Sequence, residues 1–213
     1  MDGNKERDLS AKPAQELLEL FAAGNTTPGA GSSAALMGAL AASLAQTVAR
    51  HTLKAARSGK RREIYAPFRE RAEALLAQAG ELADRLRRAV DEDAAAFDRF
   101  WAERTEEAQR RATEVPIEIA EHCLAVARMG FELWERGARS AQAEAGAATL
   151  GALAGGEGAA HVAHLNLKFA GAGHVGGDGW AERRKDDVRA LRRGLRDLRE
   201  LAETRIYDQD EST

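Results

Sequence analysis

Residues 27–49 read TPGAGSSAALMGALAASLAQTVA, and this stretch decides the fold. A Pro-Gly turn stands before a long run of good helix formers, which predicts that a helix begins near Gly31. Within the run, Ala34, Gly38 and Ala42 recur every fourth residue, so one helix face is lined by small side chains. Such a face lets neighbouring helices approach closely. We therefore expect a central, buried helix.

The composition extends this expectation to the whole chain. Of 213 residues, 46 are Ala and 4 are Pro, and aromatic residues make up 5%. Ala loses the least side-chain entropy in a helix, and β-branched residues are few, which disfavours a sheet. The sequence predicts an all-α, multihelical bundle of about six to seven helices. We expect a single domain over residues 1–213, with an ordered core at 12–206 and short polar tails.

Apolar residues at steps of three and four outline the other helices. A short helix follows Pro13 and ends at Gly24, and Pro116 predicts a kink or a fresh helix start. The glycine-rich run GGEG predicts a break between two later helices. The expected long segments are a helix through 68–97, one through 112–133, helices at 140–154 and 158–169, a loop at 170–179 and a last helix beyond it.

Charge and cysteine content exclude several classes of protein. The formal net charge is −3, with 31 basic and 34 acidic residues interspersed, so nothing predicts a nucleic-acid partner. A single cysteine, Cys123, is typical of a reducing compartment. The charged N-terminus lacks the apolar core of a signal peptide. Residues 21–49 carry no charge, but they are too weakly apolar to predict a membrane span. We expect a soluble, cytoplasmic protein without a membrane partner.

Two polar residues fall on apolar helix faces and are candidates for chemistry. Asp93 lies between Val90 and Phe97 on one stripe, and His122 lies in register with another. A buried carboxylate or imidazole must be paired, neutralised or functional. The two would form an acid–base pair if their helices adjoin, or else a structural hydrogen bond at a helix end. Glu144, isolated in an uncharged segment, is a third candidate.

Several other patterns are weaker. Residues 171–176 match GxGxxG but follow a helix rather than a strand, so we interpret them as a flexible loop. The basic residues at 57–62 are typical of a solvated connector, although they could hold an anionic tail. Cys123 predicts a packed thiol. Two sets have the spacing of a metal half-site, although solvated charges are the simpler interpretation: Glu157, His161 and His164, and Glu118, Glu121 and His122.

The turn at Thr27 is more specific. Its glycines let a backbone approach a ligand closely, and the free N–H groups of the following helix favour an anion or a carbonyl. The alternative is a simple helix start capped by serine.

At this point the sequence resembles the formiminotetrahydrofolate cyclodeaminase and methenyltetrahydrofolate cyclohydrolase family. TPGAGS and its helix resemble that family's TPGGGS helix, and DEDAAAFDRF resembles its Asp-x-x-Ala-Phe segment at Asp93, Ala96 and Phe97. ATEVPIEIAEHCLAV resembles its Ala-Thr-x-Val-Pro helix at Pro116. EAGAATLGALA followed by HLNLK resembles its Asp-Ala-Gly helix and Asn-Leu segment. The four motifs occur in family order over roughly residues 13–205.

The resemblance implies an all-α fold, usually dimeric, that binds a folate between helices and uses neither a metal nor a redox cofactor. Asp93 would then be the acid or base, with Glu144 in place of the family's Asp. His122 is a catalytic candidate from its position on the apolar stripe. The substrate-binding candidates are Pro28, Gly29, Ala30, Gly31, Ser32, His164 and Asn166.

Some positions depart from the family pattern. Ala30 replaces a glycine of PGGGS, Glu144 replaces an aspartate, and His164 replaces an arginine in a stretch that also loses one asparagine. The connection from Phe97 to Pro116 is short, and the loop after residue 170 is rich in glycine. These changes lie on the ligand side more than on the scaffold.

Three functions remain open. The first is a folate one-carbon enzyme, either a cyclohydrolase that opens 5,10-methenyltetrahydrofolate to 10-formyltetrahydrofolate or a cyclodeaminase that closes 5-formiminotetrahydrofolate and releases ammonia. The second is a non-catalytic or repurposed member that binds a folate or another small molecule. The third is a metal bundle of carboxylates and histidines. The long apolar stripes also predict a homodimer.

Overall fold

The computed structural model describes residues 8–58, 60–172 and 179–207, and every regular element in these ranges is helical. The all-α expectation is confirmed. The α-helices are α1 (Ala14–Ala22), α2 (Ala30–Arg57), α3 (Arg62–Tyr65), α4 (Arg69–Glu103), α5 (Glu106–Arg136), α6 (Gln142–Ala172) and α7 (Trp180–Tyr207). Short 3₁₀ turns stand before α1 at Leu9–Ala11, between α3 and α4 at Ala66–Phe68, and between α5 and α6 at Arg139–Ala141.

Helix α2 is the centre of the bundle, as its small-residue face predicts. It packs against α4, α5 and α6, and α5 and α6 pack along each other, while α7 lies outside against α6 and α5. Among the described helices, α2 alone is long and apolar enough to cross a bilayer by length and composition, and half of that window is buried in the protein. Ala34, Ala41 and Ala45 are among its buried residues.

Glycines and Cys123 set the separation between the central helices. A Cβ added to Gly38 of α2 would lie 2.5 Å from Sγ of Cys123 on α5. One added to Gly155 of α6 would lie 2.8 Å from the carbonyl oxygen of Ala34 on α2. Cys123 is fully buried at this junction, in agreement with a packed thiol. Side chains at the two glycines would force the helices apart.

The predicted break between residues 154 and 158 is wrong. Helix α6 continues without interruption from Gln142 to Ala172. The glycines that suggested a break are helical, because Gly155 and Gly156 meet backbone or side chains of other helices at distances that leave no room for a Cβ. Tight packing here outweighs the poor intrinsic helix propensity of glycine. Most of the predicted loop at 170–179 lies outside the described residues.

The predicted fresh start at Pro116 is also wrong, because α5 begins ten residues earlier, where Thr105 Oγ1 accepts the N–H of Ala108 at 3.2 Å. Proline has no N–H to donate to the carbonyl of Ala112, four residues before it. The side-chain amide of Asn166 on α6 donates to that carbonyl at 2.8 Å. Asn166 therefore replaces the hydrogen bond that Pro116 removes.

Candidate functional site

Asp93 of α4 lies against the N-terminus of α2. Its Oδ2 accepts a hydrogen bond from Ser32 Oγ at 3.0 Å, and the carboxylate is 8% exposed while Ser32 is fully buried. The first N–H groups of a helix have no partner within the helix, and the helix dipole favours a negative charge there. The residue at the cap position of α2 is Gly29, which has no side chain to accept them. Asp93 supplies the capping carboxylate from a different helix.

Gly31 makes this contact possible. A Cβ at Gly31 would lie 2.0 Å from Oδ1 of Asp93, well inside any allowed contact distance. Glycine is therefore required at this position of the turn. Ala30, where the family pattern has another glycine, is exposed, so its methyl group does not obstruct the carboxylate.

The environment of Asp93 favours its neutral form. Burial raises the pKa of Asp93 from its ordinary value of 3.8, and hydrogen bonds from the side chain and the backbone of Ser32 partly oppose that rise. A buried carboxyl group with a raised pKa can hold and release a proton nearer to neutral pH than a solvated one.

Two other carboxylates of α4 anchor the chain that leads into this turn. Asp91 Oδ1 accepts the backbone N–H of Leu9 at 2.8 Å, and Asp98 Oδ1 accepts the hydroxyl of Thr27 at 3.0 Å. Pro28 is buried between these anchors and the start of α2. The predicted turn and the predicted acid are thus brought together, by three carboxylates on one helix.

His122 lies in a separate cleft of about 290 Å³ between α4 and α5. Burial lowers the pKa of His122 and Arg85 lowers it further, whereas Glu118 and Glu92 oppose these effects. The helices of Asp93 and His122 do adjoin, but Asp93 bonds to α2 while His122 faces these charged neighbours.

Glu144 lies far from Asp93. It occupies the first turn of α6, whereas the glycines of α6 that face Ala34, near the start of α2, are Gly155 and Gly158. Eleven to fourteen helical residues separate Glu144 from that contact, roughly 15–20 Å at the usual rise per residue. Within one chain, Glu144 and Asp93 do not form one site.

The last two substrate-binding candidates lie on the C-terminal half of α6. Asn166 donates to Ala112, as described above. His164 lines a small cleft of about 130 Å³ between α6 and α7, together with Lys168 and Arg192. Burial lowers the pKa of His164, and the positive charges of Lys168 and Arg192 add to that effect.

The two candidate metal half-sites have other partners. Arg199 holds Glu157 through two hydrogen bonds, at 2.7 and 2.8 Å. Arg111 forms an ion pair with Glu118 at 2.7 Å. Within residues 8–58, 60–172 and 179–207, no group of three or more His, Cys, Asp or Glu side chains is arranged to hold a metal ion.

A comparison with protein-family models supports the family resemblance that the four sequence motifs indicated. The model for formiminotransferase-cyclodeaminase matches residues 13–171, which is most of the chain. The chain belongs to this family. Its fold is similar to the crystal structure of formiminotetrahydrofolate cyclodeaminase from Thermotoga maritima, with a TM-score of 0.80 over 92% of this chain and 96% of that chain. The two sequences are 18% identical, so this likeness shows the fold. No curated protein sequence matches the chain significantly.

The sequence analysis missed the arginines of α7. Arg189, Arg192, Arg193, Arg196 and Arg199 line one cavity with α6. Their spacing of three, one, three and three residues places them on one helix face and was visible in the sequence.

The raised pKa of Asp93 predicts how stability depends on pH. Above pH 3.8 the unfolded chain loses the proton while the folded protein retains it, so the free energy of unfolding falls as pH rises through the raised pKa. Asp93→Asn cannot ionise and still accepts a hydrogen bond from Ser32. We expect the variant to gain stability relative to the wild type across that interval in urea unfolding at a series of pH values. A difference that is independent of pH would contradict the raised pKa.

Proposed function

We propose that this protein acts on the one-carbon unit of a tetrahydrofolate, with Asp93 as its acid–base group. Membership of the formiminotransferase-cyclodeaminase family supports folate chemistry. The observation that carries the proposal is the buried carboxyl group of Asp93, which is held by Ser32 and is closed in by Gly31. Burial of this group costs stability that an asparagine would not cost, which favours a chemical role over a purely structural one.

Hydrolysis of 5,10-methenyltetrahydrofolate to 10-formyltetrahydrofolate is the reaction we favour. Water adds to the methenyl carbon and gives a tetrahedral intermediate, and the bond from that carbon to N5 then breaks as N5 gains a proton. Asp93 takes the proton from the attacking water as a base and returns a proton to N5 as an acid. While ionised, it also stabilises the positive charge of the methenyl group. The balance is one water consumed and one proton released.

The cyclodeaminase reaction uses the same groups. In 5-formiminotetrahydrofolate, N10 attacks the formimino carbon, and a protonated acid must assist the departure of ammonia. The neutral form of Asp93, which burial favours, can supply that proton. Neither reaction requires a metal or a redox cofactor.

The substrate would lie at the turn before α2. Gly29 and Thr27 are partly exposed and Ala30 is exposed, so backbone of this turn is accessible beside Asp93. The buried side of the turn is formed by Pro28, Gly31 and Ser32. His164, Asn166, His122 and Glu144 are proposed as outer members of the site, with Glu144 reaching a folate only from a distance or from a second copy of the chain.

A folate-binding member without turnover is the second candidate. The distance of Glu144 from Asp93 favours it, as does the engagement of Asn166 with Ala112, because two residues of the family pattern are then not free at the reacting centre. Calorimetry that detects binding of tetrahydrofolate by a protein with no catalytic activity would select this candidate.

The activity test compares two carboxylates of α4. Asp93→Asn should lower kcat/KM for methenyltetrahydrofolate hydrolysis by about 10²–10⁴-fold, because it removes general acid–base catalysis. Asp91→Asn is the matched control, since the hydrogen bond of Asp91 within the described residues is to the N–H of Leu9 in the N-terminal segment. The readout is the decay of methenyltetrahydrofolate absorbance above the spontaneous rate, with circular dichroism to show that both variants keep their helices. Equal rates in wild type and Asp93→Asn would exclude the proposed role.

We also propose a soluble, cytoplasmic homodimer in which α2 meets its symmetry mate. The outer face of α2 presents Met37 and Leu40, which are 39% and 64% exposed, and this part of the helix carries no charge. Apolar surface of this kind is typical of an interface between subunits. No nucleic-acid or membrane partner is part of this proposal.

Charge on the exposed face of α2 tests the homodimer. Leu40→Asp should give a monomer at micromolar concentration, because it places a carboxylate in an apolar interface. Leu18→Asp is the matched control, since Leu18 on α1 is 66% exposed and lies outside that face. Sedimentation velocity measures the mass of wild type and of both variants. A monomeric wild type, or a dimer in which Leu40→Asp changes nothing, would contradict this interface.

A further inference from the structure

Helix α7 carries a stripe of arginines that faces α6. Arg189, Arg192, Arg193, Arg196 and Arg199 fall on one side of the helix and extend over about 15 Å, given ten residues at the usual rise. They line a cavity of about 670 Å³ whose other wall is formed by Glu157 and His161 of α6. The smaller cleft at His164 shares Arg189 and Arg192 with it. We call the larger cavity the α6–α7 groove; the cleft at His164, a proposed outer member of the folate site, adjoins this groove and is not part of it.

The groove is distinct from the Asp93 site. Gly155 and Gly158 of α6 face Ala34 of α2, near the start of that helix. Glu157 and His161 line the cavity together with α7. At 100° per residue the two sets are centred about 110° apart around α6. The described residues that line the cavity include neither Asp93 nor any residue of the turn before α2.

Most of the positive charge in the groove has no counterpart. Arg199 is satisfied by Glu157, and Arg189 bonds Asp186 at 2.8 Å. Within the part of the chain that the structure describes, Arg192, Arg193 and Arg196 form no ion pair. Like charges three or four residues apart on a helix repel each other. The chain as a whole carries a net charge of −3, so this concentration of positive charge is local.

The chemistry of the lining selects phosphate groups. The guanidinium group presents parallel N–H donors that match phosphate oxygens in a bidentate manner, and it stays charged at all physiological pH values. The three arginines without an ion pair, Arg192, Arg193 and Arg196, extend over about 6 Å of the helix axis, and each guanidinium group can engage a separate phosphate group. A linear ligand with several phosphates in a row could contact three or more arginines at once.

We propose that the α6–α7 groove binds a linear oligophosphate, held by Arg192, Arg193 and Arg196. This site is additional to the folate site and does not depend on it. The free ligand could be an inorganic oligophosphate or the phosphate chain of a nucleotide, and both present the same groups to the arginines.

Inorganic tripolyphosphate is the probe, titrated by isothermal calorimetry at low ionic strength. Wild type should bind it saturably at one site per chain, and orthophosphate at least tenfold more weakly. The triple variant R192A/R193A/R196A should lose at least tenfold in affinity. The control variant R57A/R61A/R62A removes the same charge from an exposed connector and should retain wild-type affinity. Adenosine triphosphate, titrated in parallel, separates the two sources: tighter binding than tripolyphosphate indicates a nucleotide.

Two further variants and two competing ligands distinguish the possible outcomes of this titration. The variant R192K/R193K/R196K retains the positive charge but lacks the bidentate donors, and it should bind tripolyphosphate more weakly than wild type. This variant tests the proposal if the alanine variant fails to fold. Asp93→Asn should bind tripolyphosphate normally, so a failed folate proposal leaves this one intact. Absence of saturable binding, equal loss in the connector variant, or equally tight binding of citrate or duplex DNA through the same arginines would overturn the proposal.

Discussion

The carboxylate of Asp93 caps α2 through Ser32, 61 residues earlier in the chain, and α2 is the central helix of the bundle. Helix α2 touches α4, α5 and α6, so the position of its N-terminus constrains all three. Ser32 holds the carboxylate at 3.0 Å, and the absence of a side chain at Gly31 gives it room. Asp91 and Asp98 tie the preceding segment to the same helix. A long-range cap of this kind links the local start of one helix to the tertiary packing of another.

Close contact between the central helices depends on residues without bulk. Gly38, Gly155 and Gly156 surround Cys123, and burial among them raises the pKa of its thiol to about 12. The thiol is therefore protonated and serves as a small apolar group. Gly130 of α5 meets the backbone of Thr149 on α6 in the same way, at 2.9 Å from an added Cβ. High alanine content and these glycines together allow α2, α5 and α6 to pack closely along their lengths.

The sequence predicts those features that depend on local periodicity and misses those that depend on which helices meet. Asp93 lies on an apolar stripe, and burial follows from that position alone. The break expected at 155–158 is absent, because the contact of Gly155 with Ala34 is tertiary and overrides local propensity. The role of Asn166 could not be predicted, since the carbonyl that it satisfies belongs to another helix. Glu144 lies roughly 15–20 Å along α6 from the contact with the start of α2, a separation that motif order along the chain does not reveal. The arginine stripe of α7 was visible as a spacing, but its meaning depends on the groove that α6 completes.

Burial raises the pKa of the Asp93 carboxyl group, so its ionisation is less favourable in this protein than in water. An asparagine could accept the same hydrogen bond from Ser32, whereas proton transfer to and from a folate requires a group that can both take up and release a proton. The most direct measurement is the titration of the Asp93 carboxyl carbon by ¹³C NMR, assigned by its loss in Asp93→Asn and compared with the pH profile of kcat/KM. The account predicts an Asp93 pKa above 3.8 that coincides with an ionisation in the rate profile. A pKa at or below the ordinary value, with no matching ionisation in the rate, would contradict it.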